Sequence, residues 1–189
     1  MKAISDWLYR CSSWQTIVVA ILVYAFFMSA VMIPHAEDMR AFAGDWGAPD
    51  GHLFYTPTEL YAQISTWGDA GRNHYISFRL GLDPVWALAY TSFLITITSV
   101  ALRRATQPDD RRRLLNLTPL IPMSADLAEN LMGIALMSAY PNKLEWLAWL
   151  TATTSCFKWV TLGLAHLLML YALAISLRVA MRRKQATNG

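Results

Sequence analysis

Three polar side chains interrupt an otherwise apolar stretch in the second half of the chain. The segment SADLAEN at residues 124–130 brings Asp126, Glu129 and Asn130 into a run that continues as LMGIALMSAY. In an α-helix, residues three and four positions apart lie on the same face, so these side chains form one polar stripe. Carboxyl groups held in a dry environment can act as general acid and general base near neutral pH. The stripe is therefore the first candidate for chemistry.

A lysine in the next apolar stretch provides the opposite charge. If the two stretches cross a membrane in opposite directions, Asp126 lies about 13 Å deep, Glu129 about 18 Å and Lys158 about 16 Å. An unpaired charge at this depth costs at least about 2.5 kcal/mol, so we expect Lys158 to form an ion pair with Glu129 or Asp126. One lysine cannot neutralise two carboxylates. Either the second carboxyl group holds a proton, or a further cation reaches it from Arg72, Arg79, a ligand or a metal.

The composition places these groups in a membrane. Of 189 residues, 55% are hydrophobic and 15% are charged, and the mean hydropathy is +0.30. A soluble domain is typically less apolar and more highly charged. A transmembrane helix needs about 20 mostly apolar residues. Four stretches meet this requirement, and they cover about 14–33, 84–104, 117–140 and 147–177.

These stretches predict an all-α fold, a polytopic membrane four-helix bundle in which residues 1–189 form a single domain. Lys and Arg accumulate on the cytoplasmic side of membrane spans. Here they cluster before span one, between spans two and three, and after span four. These residues are Lys2, Arg10, Arg103, Arg104, Arg111, Arg112, Arg113, Arg178, Arg182, Arg183 and Lys184. We therefore expect a multi-pass protein of the bacterial inner (cytoplasmic) membrane with both termini in the cytoplasm.

Residues 34–83 form a long external connection between spans one and two. A connection of this length usually contains structure of its own, and we predict a segment of short interfacial helices. Thr56 suits the N-cap of one helix and Asp69 the N-cap of a second. The sequence GDWGAPDG at residues 44–51 is typical of turns. We expect the helices to form a lid over the outer mouth of the bundle.

The second external helix carries candidates for ligand binding. Arg72, Tyr75, Arg79 and Asp83 recur at a spacing of three or four residues and so share one helix face. A planar guanidinium can bind a phosphate or a carboxylate through two hydrogen bonds. In the alternative interpretation, the arginines extend to the membrane interface and Arg79 pairs with Asp83 without any ligand.

Two residues of the spans complete the ligand-binding candidates. Tyr90 lies in the motif LDPVWALAY at residues 82–90, and His166 lies about two turns beyond Lys158 in span four. A lone histidine in such a span more often forms a hydrogen bond within the packed helices than binds a ligand.

Histidines and carboxylates near the outer end of span one raise the question of a metal. The residues concerned are His35, Glu37, Asp38, His52 and His74. No HxH or HExxH spacing supports a site, so we predict no metal. The sequence contains no GxSxG, CxxC or P-loop pattern and leaves any cofactor unknown.

Several motifs together resemble a group of small four-span integral membrane proteins. They are GRNHY at 71–75, LDPVWALAY at 82–90, SADLAEN at 124–130, YP at 140–141 and TSCFKW at 154–159. The resemblance implies the four-span fold and implies that these polar positions belong together. It implies no activity, since none is known for the group.

Three classes of function fit these features. In the first, the protein holds a lipid or isoprenoid-like amphiphile in a buried polar site. Asp126 and Glu129 would then act as acid and base, with Asn130 as an orienting group. Lys158 would stabilise developing charge. The second class is a proton or ion relay, or a small transporter. The third is a structural or assembly subunit, whose buried groups, Thr154 included, hold the bundle together.

We favour the first class, because a basic mouth, apolar walls and a polar floor suit an amphiphile. Whether the protein is an enzyme stays open at this point. Membrane lipids are the expected partners, and a homo-oligomer or a partner in a membrane complex is also compatible with the sequence. We expect no nucleic acid, because the arginines lie at span ends, where topology and anionic headgroups account for them.

Overall fold

The computed structural model describes residues 1–188, and these residues form helices and turns without a β-strand. The all-α prediction is confirmed. The helices in chain order are α1 (Lys2–Cys11), α2 (Trp14–Phe27), α3 (Ile33–Ala43), α4 (Pro57–Thr66), α5 (Gly68–Leu80), α6 (Leu82–Ala105), α7 (Leu120–Ala139) and α8 (Glu145–Asn188). A π-helical turn covers Met28–Met32, and 3-10 turns cover Gly44–Trp46, Pro49–Gly51 and Arg111–Leu117.

Four helical stretches are long and apolar enough to cross a membrane. They are Trp14–Trp46, Leu82–Ala105, Arg111–Ala139 and Glu145–Ala186, and they correspond to the four predicted spans. Many large apolar side chains on these stretches are exposed at the surface of the chain, among them Leu22, Phe26 and Leu167. Apolar surface of this extent is unusual for a protein in water and is typical of helices that face lipid. The fold is thus compatible with a multi-pass membrane protein.

Helix α6 is the central helix of the bundle, since it contacts α1, α2, α5, α7 and α8. Many of its buried residues are small, such as Ala87, Ala89 and Ser99. Small residues let neighbouring helices approach closely, which is how helices commonly pack in membranes. Helices α7 and α8 also pack extensively against each other. The trio of α6, α7 and α8 therefore forms the frame on which the polar residues are placed.

The first long helix continues further than the sequence suggested. Span one was predicted to end at residue 33, but the helix passes through the π-helical turn and Pro34 and ends at Ala43. The proline is tolerated because it lies in the first turn of α3, directly after the wider turn of Met28–Met32. Gly44, with a φ of 57°, ends the helix in a conformation that favours glycine. The first long helix therefore extends into the segment 34–83, which the sequence predicts to be external.

Helices α4 and α5 are the short helices predicted for that segment. Thr56 caps α4, because its Oγ1 accepts a hydrogen bond from the backbone N–H of Glu59 at 3.2 Å, and the Glu59 carboxylate accepts one from the N–H of Thr56 at 2.8 Å. The predicted cap at Asp69 is wrong. Helix α5 already includes Asp69, because it begins at Gly68. The φ of 62° at Gly68 allows the sharp turn from α4.

The short helices pack onto one end of the long ones. Their buried side chains Leu60, Ile64 and Trp67 share a core with Leu136 of α7 and Leu147 of α8. We call this end of the bundle, which carries residues 44–81, the loop end. The short helices thus cover one end of the long helices, and their role as a lid over an outer mouth stays a prediction.

The opposite end holds the arginine-rich segments, and we call it the arginine end. Helix α1, which was not predicted, docks there on the connection between α6 and α7. Tyr9 donates a hydrogen bond from its hydroxyl to the carbonyl of Arg113 at 3.0 Å, and Ser5 donates one to Asn116 Oδ1 at 2.8 Å. Segments predicted to share one side of the membrane thus lie together in the fold.

Gly71 provides a test of the packing of α3 on α5. A Cβ at this position would lie 2.8 Å from Cβ of Trp67 and 2.9 Å from Cγ of Phe42 on α3, closer than carbon atoms normally approach. Gly71→Ala should therefore force the helices apart, and overpacking of this kind costs about 1–3 kcal/mol. Gly163→Ala on α8 is the control, since a Cβ there meets no atom within 4 Å. Thermal unfolding in detergent should show a lower Tm for Gly71→Ala alone. Equal Tm values for the two variants would contradict the close contact.

Candidate functional site

Two basic side chains are buried where α5, α6, α7 and α8 meet. Arg79, near the end of α5, is 2% exposed, and Lys158, on α8, is 5% exposed. Charges removed from water must be paired, so their partners define the geometry of the site. Together with these partners the two residues form the buried cluster. Its members are Asp50, Arg79, Asp83, Asp126, Glu129, Asn130 and Lys158.

Lys158 pairs with two carboxylates of α7. Its Nζ lies 2.5 Å from Oε2 of Glu129 and 3.4 Å from Oδ1 of Asp126. Because the two carboxylates are three residues apart on one helix face, a single ammonium group reaches both. Tyr90 on α6 donates a hydrogen bond from its hydroxyl to the other oxygen of Asp126 at 3.2 Å. The ion pair expected from the sequence is therefore present with both partners at once.

Arg79 joins three helices. Its Nη1 donates hydrogen bonds to Oδ2 of Asp83 at 3.1 Å and to Oδ1 of Asn130 at 2.8 Å. The Asn130 amide donates in turn to the same Asp83 oxygen at 2.5 Å, which closes a triangle between α5, α6 and α7. The guanidinium also lies over the ring of Tyr75, with its carbon 4.8 Å from the ring centroid. This triangle leaves Nη2 of Arg79 available for another partner.

That partner is Asp50, which reaches the cluster from the turns between α3 and α4 and forms an ion pair with Nη2 of Arg79. The backbone of the loop is hydrogen-bonded to α8 at Asp50 itself and two residues further along the chain. Trp159 donates from Nε1 to the carbonyl of Asp50 at 2.9 Å, and Ser155 donates from its hydroxyl to the carbonyl of His52 at 3.2 Å. The loop thus holds the Asp50 carboxylate against the arginine.

The neighbouring cations keep Asp50 ionised. Burial alone would raise the pKa of its carboxyl, but the Arg79 guanidinium and the Lys158 ammonium lower that pKa to about 2. Burial also opposes the charge on Arg79, yet Asp50 and Asp83 raise its pKa above the ordinary value. A carboxyl whose pKa is lower in the folded chain stabilises the fold above its unfolded pKa of about 3.9, and this contribution is lost as the pH falls through about 2. The pair is therefore charged throughout the physiological range.

The buried cluster contains more carboxylates than cations. Among the described residues, the cations that pair with Asp50, Asp83, Asp126 and Glu129 are Arg79 and Lys158. Within residues 1–188, Oε1 of Glu129 and Nε of Arg79 are buried without a hydrogen-bond partner. Uncompensated charge and unused polar atoms are costly in a dry interior. The excess must therefore be balanced by protons or by a bound group.

Most of the site residues proposed from the sequence meet here, namely Tyr75, Arg79, Asp83, Tyr90, Asp126, Glu129, Asn130 and Lys158. Two lie elsewhere. Arg72 pairs with Asp69 at 2.5 Å, and its guanidinium lies over the ring of Tyr140. Nδ1 of His166 lies 2.8 Å from the carbonyl of Leu162, one turn back on its own helix. Of the two arginines expected as a further cation near the carboxylates, Arg79 lies in the cluster and Arg72 does not.

Asp50 is the residue of the cluster that sequence analysis missed. It lies in the stretch GDWGAPDG, which was predicted as turns and contains two 3-10 turns in the structure. Nothing in its local sequence distinguishes it from Asp45. Its position depends on a contact with Trp159, 109 residues further along the chain. No local pattern could have revealed that contact.

The surroundings of the cluster are apolar. A groove of about 550 Å³ runs along the contact between α7 and α8 and is lined by Leu120, Ile121, Ser124, Ala125, Thr154 and Phe157. Ala125 and Phe157 are the chain neighbours of Asp126 and Lys158. Within residues 1–188, no group of three or more His, Cys, Asp or Glu side chains is arranged to hold a metal ion.

The fold and the cluster together define a class: an all-α protein with four helices of membrane-spanning length and a buried ion-pair cluster beneath a short helical segment. No protein-family model, curated protein or solved structure matches the chain. The family resemblance drawn from the sequence motifs therefore stays a prediction.

The double pairing of Lys158 can be measured by a mutant cycle. Lys158→Met leaves Glu129 and Asp126 without their ammonium partner, which should lower the free energy of unfolding by about 3–5 kcal/mol. Adding Glu129→Gln to Lys158→Met removes one of the unpaired charges, so the double variant should be more stable than Lys158→Met alone. Unfolding in mixed micelles with increasing denaturing detergent gives the free energy of unfolding of the unmodified protein, of Lys158→Met, of Glu129→Gln and of the double variant. Strict additivity of the two substitutions would contradict direct pairing.

Proposed function

We propose that the buried cluster is an acid–base site for an amphiphile, a lipid or isoprenoid-like molecule with an anionic headgroup, and that the headgroup takes the place of Asp50 beside Arg79. The pair between Asp50 and Arg79 is the observation that carries the proposal. Its carboxylate comes from a loop, whereas the other members of the cluster belong to the helices α5 to α8. The loop carboxylate thus occupies the position that a ligand carboxylate or phosphate would take.

If a ligand anion replaces the Asp50 carboxylate, Arg79 exchanges one negatively charged partner for another and stays paired. A guanidinium binds carboxylate and phosphate with the same planar geometry. Arg79 is held by Asp83 and Asn130 and need not move during the exchange. Because the pKa of Asp50 is about 2, ordinary acidification does not neutralise the carboxylate and release the loop. A competing anion is therefore the more suitable trigger.

The apolar part of the amphiphile has space close by. The groove between α7 and α8 lies beside the helix turns that carry Asp126 and Lys158, and its lining is mainly hydrocarbon. Sites for such molecules usually combine apolar walls with a few polar groups that fix the orientation of the ligand. The cluster and the groove supply these two components side by side.

The proposed roles follow from the contacts. Asp126 and Glu129 share the ammonium of Lys158, so a proton taken up by one strengthens the pairing of the other. This arrangement suits an acid and a base that exchange roles, with Lys158 stabilising developing negative charge. Asn130 and Tyr90 are positioning residues in this scheme, since their polar atoms hold Arg79, Asp83 and Asp126 in place.

A proton relay is the second candidate, because none of the cluster residues lines the groove and an enclosed cluster suits proton transfer. The cluster ends at Asp126 and Tyr90 on the side of the arginine end. An apolar layer that contains Leu94, Ala165 and Met169 follows there. Beyond it, the buried polar side chains of Ser99 and Asn116 hydrogen-bond to each other, and Asn116 also accepts a hydrogen bond from Ser5 of α1. A relay needs a continuous chain of polar groups, and the apolar layer interrupts it, so the amphiphile site is favoured.

Asp50→Asn tests the proposal directly. The substitution removes the internal competitor for Arg79, so oleate should bind more tightly, on the order of tenfold, because the site no longer has to open first. Asp45→Asn is the matched control, since Asp45 is exposed in the same loop. Methyl oleate, which has the same chain without the charge, should bind no better to Asp50→Asn than to the unmodified protein. Native mass spectrometry of the protein released from detergent measures the bound fractions.

Two results would contradict this function. The first is equal binding of oleate by Asp50→Asn and Asp45→Asn, and the second is equal binding of oleate and methyl oleate. Retained lipid provides a further check on the unmodified protein. If extraction under mild conditions yields no amphiphile, and Asp126→Asn and Glu129→Gln only lower the folded yield, the cluster is structural.

A further inference from the structure

A cavity at the arginine end collects positive charge. It has a volume of about 520 Å³, and the charged residues that line it are Arg103, Arg104, Arg112, Arg113, Arg183 and Asp110. The lining contains five arginines and one aspartate, so the cavity is basic. The cavity lies at the far end of the helices from the buried cluster and shares no residue with it. It is therefore a separate feature of the molecule.

Some of these arginines are held by other groups of the chain, and Arg104 is an exposed residue of the cavity lining. Arg103 donates hydrogen bonds to the carbonyls of Tyr9 and Ser12 at 2.9 and 2.8 Å, which fixes α1 against α6. Arg112 pairs with Asp110, with Nη2 and Oδ2 2.6 Å apart. Arg104 is exposed, and no residue of the described chain pairs with it. The cavity thus combines fixed walls with an arginine available to bind an anion.

An apolar groove continues from this cavity. Its volume is about 570 Å³, and it runs along the last turns of α8, where Leu173, Leu177, Val179 and Ala180 line it. Arg104 and Arg183 line both the groove and the basic cavity. A charged compartment and an apolar one therefore meet at the end of helices long enough to cross a membrane.

We infer that these two compartments bind an anionic phospholipid, with its phosphate in the basic cavity and an acyl chain in the groove along α8. Guanidinium groups bind phosphate oxygens in pairs, and basic residues next to membrane helices attract anionic lipids. Charge complementarity accounts for the headgroup, and the continuous apolar groove accounts for the chain. A free phosphate, a nucleic acid or an acidic peptide would leave that groove empty. The lipid alone uses both compartments.

The test compares two lipids and two arginines. Delipidated protein in detergent is titrated with phosphatidylglycerol or phosphatidylcholine of equal chain length, and binding is followed by native mass spectrometry and by the change in Tm. Phosphatidylglycerol should bind more tightly. Arg104→Gln should weaken its binding about fivefold. Arg40→Gln, at an exposed arginine near the loop end, is the matched control and should leave the binding unchanged.

A substitution in the groove separates the lipid from a soluble anion. Ala180 is exposed and lines only the apolar compartment, so Ala180→Trp should block the chain without altering the charge. It should weaken the binding of phosphatidylglycerol. Glycerol phosphate, which has the headgroup chemistry without chains, should raise the Tm far less than the lipid.

Three results would overturn the inference. They are equal binding of the two lipids, equal effects of Arg104→Gln and Arg40→Gln, and stabilisation by glycerol phosphate as large as that by phosphatidylglycerol. If Ala180→Trp does not fold, the comparison between Arg104→Gln and Arg40→Gln still decides between a defined lipid site and general attraction to anionic surfaces.

Discussion

The pairing of two buried cations with four carboxylates is the constraint on which the arrangement of the helices depends. Lipid is as apolar as most of the helix surface, so burial of apolar side chains does little to fix how the helices meet. Here Arg79 links α5 to α6 and α7, and Lys158 links α8 to α7. The Tyr75 side chain of α5 packs directly on α7 at Gly133, where a Cβ would lie 2.5 Å from the Tyr75 hydroxyl. Ion pairs and close contacts together set the geometry.

The long helices were predictable because their signal is compositional and local. Runs of apolar residues locate the four spans, and the acidic stripe and the lysine at matching depth indicate their pairing. Helix ends were less predictable. Span one continues past Pro34, because a π-helical turn directly before the proline accommodates it. Helix α1 is short and amphipathic, and only its docking through Tyr9 and Ser5 makes it a defined element.

Site residues could be predicted where helix spacing and depth in the membrane determine which side chains meet. They could not be predicted where the contact depends on how distant segments of the chain pack together. Asp126, Glu129 and Lys158 meet because helix periodicity and depth bring them together. Arg72 shared a face with Arg79 in the sequence, yet the acidic neighbour three residues before it, Asp69, takes its charge at the surface. That pair was visible in the sequence as an i,i+3 spacing. Asp50, by contrast, depends on the fold of a whole loop.

The ratio of carboxylates to cations helps to distinguish a cluster that only holds the helices together from one that also binds a ligand. A buried ion pair stabilises a fold little more than apolar side chains of similar size, and it often stabilises the fold less. If holding the helices together were the only requirement, one carboxylate for each cation would be sufficient. The structure instead has two carboxylates for each cation and brings Asp50 from a loop to complete the set. The additional carboxylates are costly unless they exchange protons or one of them is replaced by a ligand. Asp50 is the carboxylate that a ligand would replace, because it lies in a loop whose release requires two hydrogen bonds to α8 to break but no long helix to shift. The charge excess and the loop origin of Asp50 are therefore the two observations that support the proposed acid–base site for an amphiphile.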